Sequence, residues 1–232
     1  MTRLQSIPRY ASYLILWLFF VTLPQLSFAA LTIEISGGGA QQIPIAIVPF
    51  GQVPANSSSK NQENISNIIS ADLRRSGLFR VLETGGVVNR PTDITQIKYA
   101  DWAALQAQAM AVGSVETLPG NRLKVTFKLA DVLKQTQLAG MEYNITPNQL
   151  RLTAHKIADV IYQKLTGEAP MFASRIAYIT KAKGRYVLQV ADADGENPQT
   201  VVSSNEPIIS PAWSPDGTKI AYVSFEKKKP IV

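Results

Sequence analysis

Residues 43–82 show two kinds of apolar spacing in turn. Residues 43–50 (IPIAIVPF) are almost continuously apolar, which predicts a strand buried on both faces. Four apolar residues then recur at helical spacing, and Gly77 follows where a C-terminal helix cap is expected. These four residues are Ile65, Ile68, Ile69 and Leu73. Residues 79–82 predict the next strand.

The following segment predicts a short helix and then a β-hairpin. Asp101 fits the N-cap of the helix, with Trp102, Leu105 and Ala109 spaced to face inward. Residues 112–118 lead through Pro119-Gly120-Asn121 into residues 122–129, where apolar and polar side chains alternate with a period of two.

The third helix has the clearest boundary signals. Thr146, Pro147 and Gln149 form a capping-box pattern with proline in the first turn, and Gly167 ends the helix. Its apolar stripe consists of Leu150, Ala154, Ile157, Ile161 and Leu165. Because strands and helices do not alternate strictly, residues 43–169 predict an α/β domain in which helices pack on a mixed sheet.

After Pro170 the pattern changes to short strands. Residues 175–180 (RIAYIT) recur as residues 219–224 (KIAYVS), an offset of 44 positions that is typical of β-propeller blades. Asp194-Gly195 and Asp216-Gly217 fit the reversing turns between strands. We expect residues 170–232 to be the first blade and the start of a second, with the rest of the propeller in a longer protein.

The amino terminus predicts export. Arg3 and Arg9 precede an apolar run at 14–23 (LILWLFFVTL), and small residues follow, so we expect a signal peptide over residues 1–29 that is cleaved between Ala29 and Ala30. A membrane anchor is the alternative, but a spanning helix needs about 20 apolar residues. The expected location of the cleaved protein is the periplasm.

Composition narrows the possible chemistry. The net charge is +6, or +4 without Arg3 and Arg9, and no segment interleaves aromatic residues with a dense basic stripe. This composition argues against nucleic-acid binding. The chain has no cysteine, so it can form neither a disulfide framework nor a thiolate metal site.

No set of residues predicts a catalytic site, a metal site or a bound cofactor. His155 is the only histidine, and we interpret it as a partner of Asp159 one helical turn later. Asp192, Asp194 and Asp216 occur at turn spacing, and we interpret them as turn residues. They do not predict a calcium site, because the spacing of an EF-hand is missing. The nucleophile motif GxSxG does not occur in the sequence.

Several motifs, taken in order, resemble the TolB family. They are 44–50 (PIAIVPF), Asp72-Leu73 with 76–79 (SGLF), 112–115 (VGSV), 154–159 (AHKIAD), 164–167 (KLTG), 175–178 (RIAY) and 210–217 (SPAWSPDG). Propellers of several functions carry the last motif. The α/β motifs directly before it make the resemblance specific.

The resemblance implies a six-bladed propeller after the α/β domain and a non-enzymatic role in the Tol-Pal system. Family members are periplasmic, bind TolA and the lipoprotein Pal, and support outer-membrane integrity and constriction during cell division. Contacts to Pal lie mainly on later blades. TolA is reached by a mobile segment after the cleavage site, which corresponds here to residues 30–42.

The candidate partner-binding residues lie in that segment. The TolA-binding set is Leu31, Thr32, Ile33, Glu34, Ile35 and Ser36, and the hinge is Gly37, Gly38 and Gly39. Their periodicity alone favours a first strand of the sheet, whereas the resemblance favours a strand that detaches and adds to a partner's sheet. The three glycines depart from the family pattern, which usually has an acidic residue there, and they increase mobility.

A second interpretation is the regulatory propeller of a prolyl-oligopeptidase-like hydrolase. Its catalytic domain would lie beyond Val232 and would carry GxSxG after the last blade. A binding protein of the TolB type would instead end where the propeller closes.

Overall fold

The computed structural model describes residues 42–53, 60–85 and 89–232. The predicted cleavage site, TolA-binding residues and hinge all precede residue 42 and lie outside this description. Residues 41–232 group into one compact unit. Within the described ranges, no helix combines the length and the apolar character needed to cross a bilayer.

A mixed β-sheet forms the centre of the amino-terminal domain, as the sequence predicts. Its strands are β1 (Ile43–Ile47), β2 (Gly51–Val53), β3 (Phe79–Leu82), β4 (Ala109–Leu118), β5 (Arg122–Asp131) and β6 (Thr136–Ile145). β1 lies between β3 and β4 and runs parallel to both, and β2 also pairs in parallel with β4. β5 and β6 continue the sheet in antiparallel order beyond β4.

The alternation of side chains along β1 divides the interior into two cores. Ile45 and Ile47 point to the face covered by α1 (Lys60–Arg75) and α3 (Leu150–Thr166). Ala46 and Val48 point to the opposite face, which α2 (Tyr99–Ala104) covers. A strand that is buried on both faces needs apolar residues at every position, and the run at 43–50 supplies them.

The predicted stripe of α1 is confirmed. Ile65, Ile68, Ile69 and Leu73 are all buried in the core beneath the helix. Each such side chain contributes roughly 1.5–3 kcal/mol when fully buried. After the helix, Gly77 adopts φ +75°, the left-handed conformation expected of a residue that ends a helix.

The prediction for the second helix is wrong in two respects. Asp101 lies in the first turn of α2, and the N-cap is Lys98. Leu105 is 43% exposed, because the helix ends at Ala104 and the chain turns into β4, where Ala109 is a strand residue. Trp102 is buried as predicted and anchors α2 on the sheet.

Strand β6 was not predicted from the sequence. Most of its side chains are exposed or half-buried because it is the outer strand of the sheet. The sequence does carry a period-two pattern here, at Ala139, Met141, Tyr143 and Ile145, and this pattern could have predicted the strand.

The start and end of α3 follow the predicted signals. The capping box is present, with the Thr146 amide donating to Gln149 Oε1 at 3.0 Å, and a short 3₁₀ turn over Pro147–Gln149 leads into the helix. Gly167 caps the C-terminus at φ +77°, where its missing Cβ avoids strain.

Beyond α3 the chain forms propeller-type strands. β7 (Arg175–Ala182), β8 (Arg185–Asp192) and β9 (Gln199–Ser204) make one antiparallel sheet, and β10 (Ile208–Trp213) pairs with β11 (Ile220–Ser224) in a second. The two repeated hexapeptides fall on β7 and β11. The fold is therefore an α/β domain followed by part of a propeller.

Candidate functional site

The structure brings charged side chains together where the α/β domain meets the sheet of β7, β8 and β9, which we call the first blade. Six residues from α1, α3, the end of β8 and the turn that follows it form this group, which we call the junction cluster. They are Asp72, Arg75, Arg151, His155, Asp192 and Asp194. The cluster contains no residue that the sequence predicted to bind a partner.

His155 and Asp72 form the buried centre of the junction cluster. The Nδ1 atom of His155 lies 2.6 Å from Oδ2 of Asp72, and their side chains are 1% and 0% exposed. Since a carboxylate accepts, this contact assigns the Nδ1 proton to the bond with Asp72. The interpretation of His155 as a partner of Asp159 is therefore wrong. Position 155 faces inward because α3 packs against α1, and Asp72 there accepts the hydrogen bond from Nδ1.

The other ring nitrogen of His155 faces the first blade. Nε2 is buried and has no hydrogen-bond partner among the described residues. It lies 4.0 Å from Oδ2 of Asp192 and 3.9 Å from Oδ2 of Asp194. Both distances are too long for hydrogen bonds, although the carboxylates are the nearest charged groups on the blade.

Arg151 holds the same two carboxylates from the α/β side. Its Nε atom donates to Oδ2 of Asp192 at 3.0 Å, and its Nη2 atom donates to Oδ2 of Asp194. Arg75 adds a bond from Nη1 to Oδ1 of Asp72 at 3.2 Å and approaches Asp194 at 3.8 Å. These contacts tie the turn between β8 and β9 to both helices.

The turn itself has the chemistry that the sequence predicts. Gly195 adopts φ +86°, and Asp194 Oδ1 accepts the amide of Glu196 at 3.1 Å. Asp192 also accepts from the side chain of Asn197 at 2.9 Å. The acidic residues thus shape the turn and also provide its contacts with α3.

A metal ion is a poor fit for the junction cluster. Asp72, His155 and Asp194 can each offer one ligand atom within 4.8 Å of the others. However, Asp72 is already bonded to Nδ1, and Asp194 receives a guanidinium donor from Arg151. A divalent ion beside that guanidinium would meet like-charge repulsion. We therefore assign the cluster as an ion-pair network.

Asp159 fixes the chain as it leaves α3. Its carboxylate accepts the amides of Phe172 at 2.7 Å and Ala173 at 3.1 Å. Burial raises the pKa of Asp159, and these two amide bonds oppose that rise. The ring of Phe172 packs edge-on against Tyr162 with centroids 5.6 Å apart. These contacts fix the linker, the segment between α3 and β7, and therefore fix the position at which β7 begins.

Three residues of α3, spaced four apart, face the first blade or hold the segment that leads to it. Arg151 contacts the turn, His155 faces it, and Asp159 holds the linker. Residues four apart lie on one side of a helix, which is the signal that could have identified Arg151 from the sequence. Their partners are 13 to 83 positions away in the chain, so the spacing alone does not name them.

Further contacts join the sheet of β7, β8 and β9 to the hairpin of β10 and β11. Arg175 at the start of β7 donates to the carbonyl of Gly217 at 3.2 Å, and its guanidinium lies 5.1 Å from the centroid of the Trp213 ring. Gly217 adopts φ +67° in the turn between β10 and β11. The predicted Asp216-Gly217 turn is thus present and receives a contact from the first sheet.

Comparison with known proteins gives one consistent result. Residues 31–138 match the TolB amino-terminal domain family, and residues 162–232 match the TolB beta propeller domain family. The chain is 72% identical over 206 residues to the Tol-Pal system protein TolB of Methylobacillus flagellatus, covering 88% of this chain and 46% of that protein. It is 49% identical to the Nitrosomonas europaea protein of the same name over 223 residues, covering 96% and 50% respectively.

A solved structure agrees. The crystal structure of TolB from Acinetobacter baumannii superposes with a TM-score of 0.71 at 39% identity, covering 85% of this chain and 47% of that one. The chain spans about half the length of the curated relatives it matches. The two domain matches, in this order and together spanning most of the sequence, show that the chain belongs to the TolB family.

Proposed function

We propose that this chain is part of a periplasmic Tol-Pal component that works by binding other proteins and catalyses no reaction. The observation that carries the proposal is its 72% identity to a protein named as a Tol-Pal system protein. His155, the only histidine, pairs with Asp72 and faces the carboxylates of Asp192 and Asp194, and none of these three partners is a hydroxyl or thiol that a base could activate.

In this proposal the protein links TolA and Pal and supports outer-membrane integrity and invagination during division. TolA is bound by Leu31, Thr32, Ile33, Glu34, Ile35 and Ser36, with Gly37, Gly38 and Gly39 as the hinge. An extended segment with alternating apolar residues can add to the edge of a partner's sheet, where main-chain hydrogen bonds provide affinity. Cleavage between Ala29 and Ala30 would leave this segment at the amino terminus.

Pal is assigned to the propeller face. Such a face is composed of loops from neighbouring blades, so the half-length chain should bind Pal weakly and the full-length protein should bind it well. Calorimetry with Pal and both proteins tests this assignment. Full-strength binding by the half-length chain would contradict it.

The TolA assignment is tested by deleting residues 31–36 and comparing TolA pull-down with the melting temperature. We expect loss of TolA binding with unchanged melting. Ile33→Asp, which places a charge on the apolar side of the segment, should have the same effect, and Thr32→Ala on the opposite side is the matched control. A collapsed melting temperature would indicate a structural strand, and retained TolA binding would remove the proposed role.

A further inference from the structure

The two nitrogen atoms of His155 have different environments. Nδ1 carries the proton that bonds to Asp72, so in the neutral ring Nε2 is an acceptor. This acceptor is buried and faces the carboxylate oxygens of Asp192 and Asp194, at 4.0 Å and 3.9 Å. Three acceptors therefore face one another, and the ring nitrogen has no described donor. Buried polar atoms in this situation are costly.

The charges around the ring are unequal. α1 contributes a carboxylate and a guanidinium, and α3 contributes a guanidinium and the carboxylate of Asp159. The end of β8 and the turn after it contribute one carboxylate each. The set is Asp72, Arg75, Arg151, Asp159, Asp192 and Asp194. Negative groups outnumber positive ones, so an added positive charge at Nε2 would be attracted to the groups it faces.

We propose that His155 is a proton-operated latch between α3 and the first propeller blade. On acidification Nε2 takes a proton from solvent, and the resulting N–H donates to the carboxylates of Asp192 and Asp194. The turn between β8 and β9 then binds the α/β domain more tightly. When the proton is lost, the contact of the ring with the blade relaxes, and Arg151 alone bridges Asp192 and Asp194.

The protonated imidazole carries an N–H at both nitrogens, whereas the neutral ring carries one at Nδ1 alone. The attachment of the blade would therefore vary with the pH of the compartment. A charge-assisted hydrogen bond to a carboxylate is stronger than a neutral one, which gives the protonated form its advantage.

The direct test is nuclear magnetic resonance on the ¹⁵N-labelled protein. Since the chain has a single histidine, its imidazole signals are assigned without ambiguity. We expect Nδ1 to stay protonated throughout and Nε2 to gain a proton as the pH is lowered. If Nε2 stays unprotonated down to the pH at which the protein unfolds in acid, the latch does not exist.

Amide hydrogen exchange gives the structural readout. After correction for the intrinsic pH dependence, exchange at residues 193–197 should slow about tenfold as Nε2 gains its proton, a factor that corresponds to ~1.4 kcal/mol. Protonation without a change in protection of this turn would overturn the proposal.

Two variants complete the test. His155→Asn keeps an N–H donor for Asp72 and has no atom at the Nε2 position, so its protection should not depend on pH. Arg185→Gln, an exposed change on β8, should keep the wild-type response. A pH response retained in His155→Asn would assign it to the carboxylates and contradict the latch. Protection that requires Zn²⁺ at all pH values would instead make His155 a metal ligand and contradict it as well.

Discussion

The imidazole of His155 lies 2.6 Å from the carboxylate of Asp72, a residue 83 positions earlier in the chain. The contact joins α3 to α1 inside the α/β domain. Since both side chains are buried, each depends on the other to satisfy a polar atom that solvent cannot reach.

Replacing Asp72 with alanine should therefore be strongly destabilising. The change leaves a buried histidine N–H unpaired, and we expect a loss of about 1–3 kcal/mol in unfolding free energy, measured by urea denaturation. Glu83→Ala is the control, because the Arg74–Glu83 pair is exposed and should contribute less than about 1 kcal/mol. Similar losses of unfolding free energy in both variants would show that the buried Asp72–His155 pair stabilises the protein no more than an exposed ion pair does.

Arg151→Gln should loosen the first blade without unfolding the α/β domain. The variant removes the guanidinium that bridges Asp192 and Asp194, and both carboxylates lose their main partner. Limited chymotrypsin digestion, whose sites neither arginine change removes, should cut residues 175–232 faster than in the parent, while fragments from residues 43–167 persist. Arg185→Gln serves as the matched arginine control. Equal cleavage rates in the parent and Arg151→Gln would contradict the assigned role of Arg151.

The Asp93–Lys128 pair should contribute stability that disappears in acid. The hydrogen bond from Lys128 lowers the pKa of Asp93 from its usual value to about 2. A depressed carboxyl pKa gives stability that is present above the unfolded value and is lost as the pH falls through the folded value, here between about 4 and 2. Lys128→Met should raise the pKa and remove about 1 kcal/mol at neutral pH, because solvent screens this partly exposed pair.

Carbon-13 titration of Asp93 and urea melts across this pH range check the prediction. Lys124→Met is the control, since Lys124 lies on the same strand and pairs with Glu142 at 3.0 Å. An Asp93 titration that is unchanged in Lys128→Met would rule out the hydrogen bond as the cause.

Gly113→Ala should disrupt the centre of the sheet. A Cβ at this position would lie 2.2 Å from the carbonyl oxygen of Thr126 and 2.6 Å from Cε2 of Phe50. Neither a paired backbone nor a buried ring can move away easily, so we expect a cost of about 1–3 kcal/mol or more in thermal melts. Gly85→Ala, where a Cβ meets no atom of the described residues within 4 Å, should change stability by about 0.5 kcal/mol at most. Comparable melting of the two variants would contradict the predicted steric effect.

Local patterns predicted the elements whose stability comes from burial on a known face. The apolar run at 43–50 predicted β1, and the capping signals around Pro147 and Gly167 predicted α3. Prediction was less successful where a segment has little burial of its own. β6 is an outer strand whose apolar alternation covers only residues 139–145, and Leu105 follows a helix that ends at Ala104, five residues before the last position of its predicted apolar stripe.

The pairings within the junction cluster could not be predicted from the sequence for a different reason. The nearest helical partner of His155 in the sequence is Asp159, and a pair at this spacing is a sound local expectation. In the structure Asp159 accepts hydrogen bonds from amides of the linker, and His155 bonds to Asp72 on α1. Only the packing of two helices, together with a turn from the blade, decides which of these pairings forms.

The four-residue spacing of Arg151, His155 and Asp159 makes α3 intolerant of changes in length. One inserted residue rotates everything beyond it by about 100° around the helix axis, so the groups on either side of the insertion could no longer face the blade together. The hairpin loop at Pro119-Gly120-Asn121 has no such constraint, because it lies at an exposed end of two strands. Natural insertions and engineered fusions should therefore be accepted at this loop and rejected between residues 151 and 159.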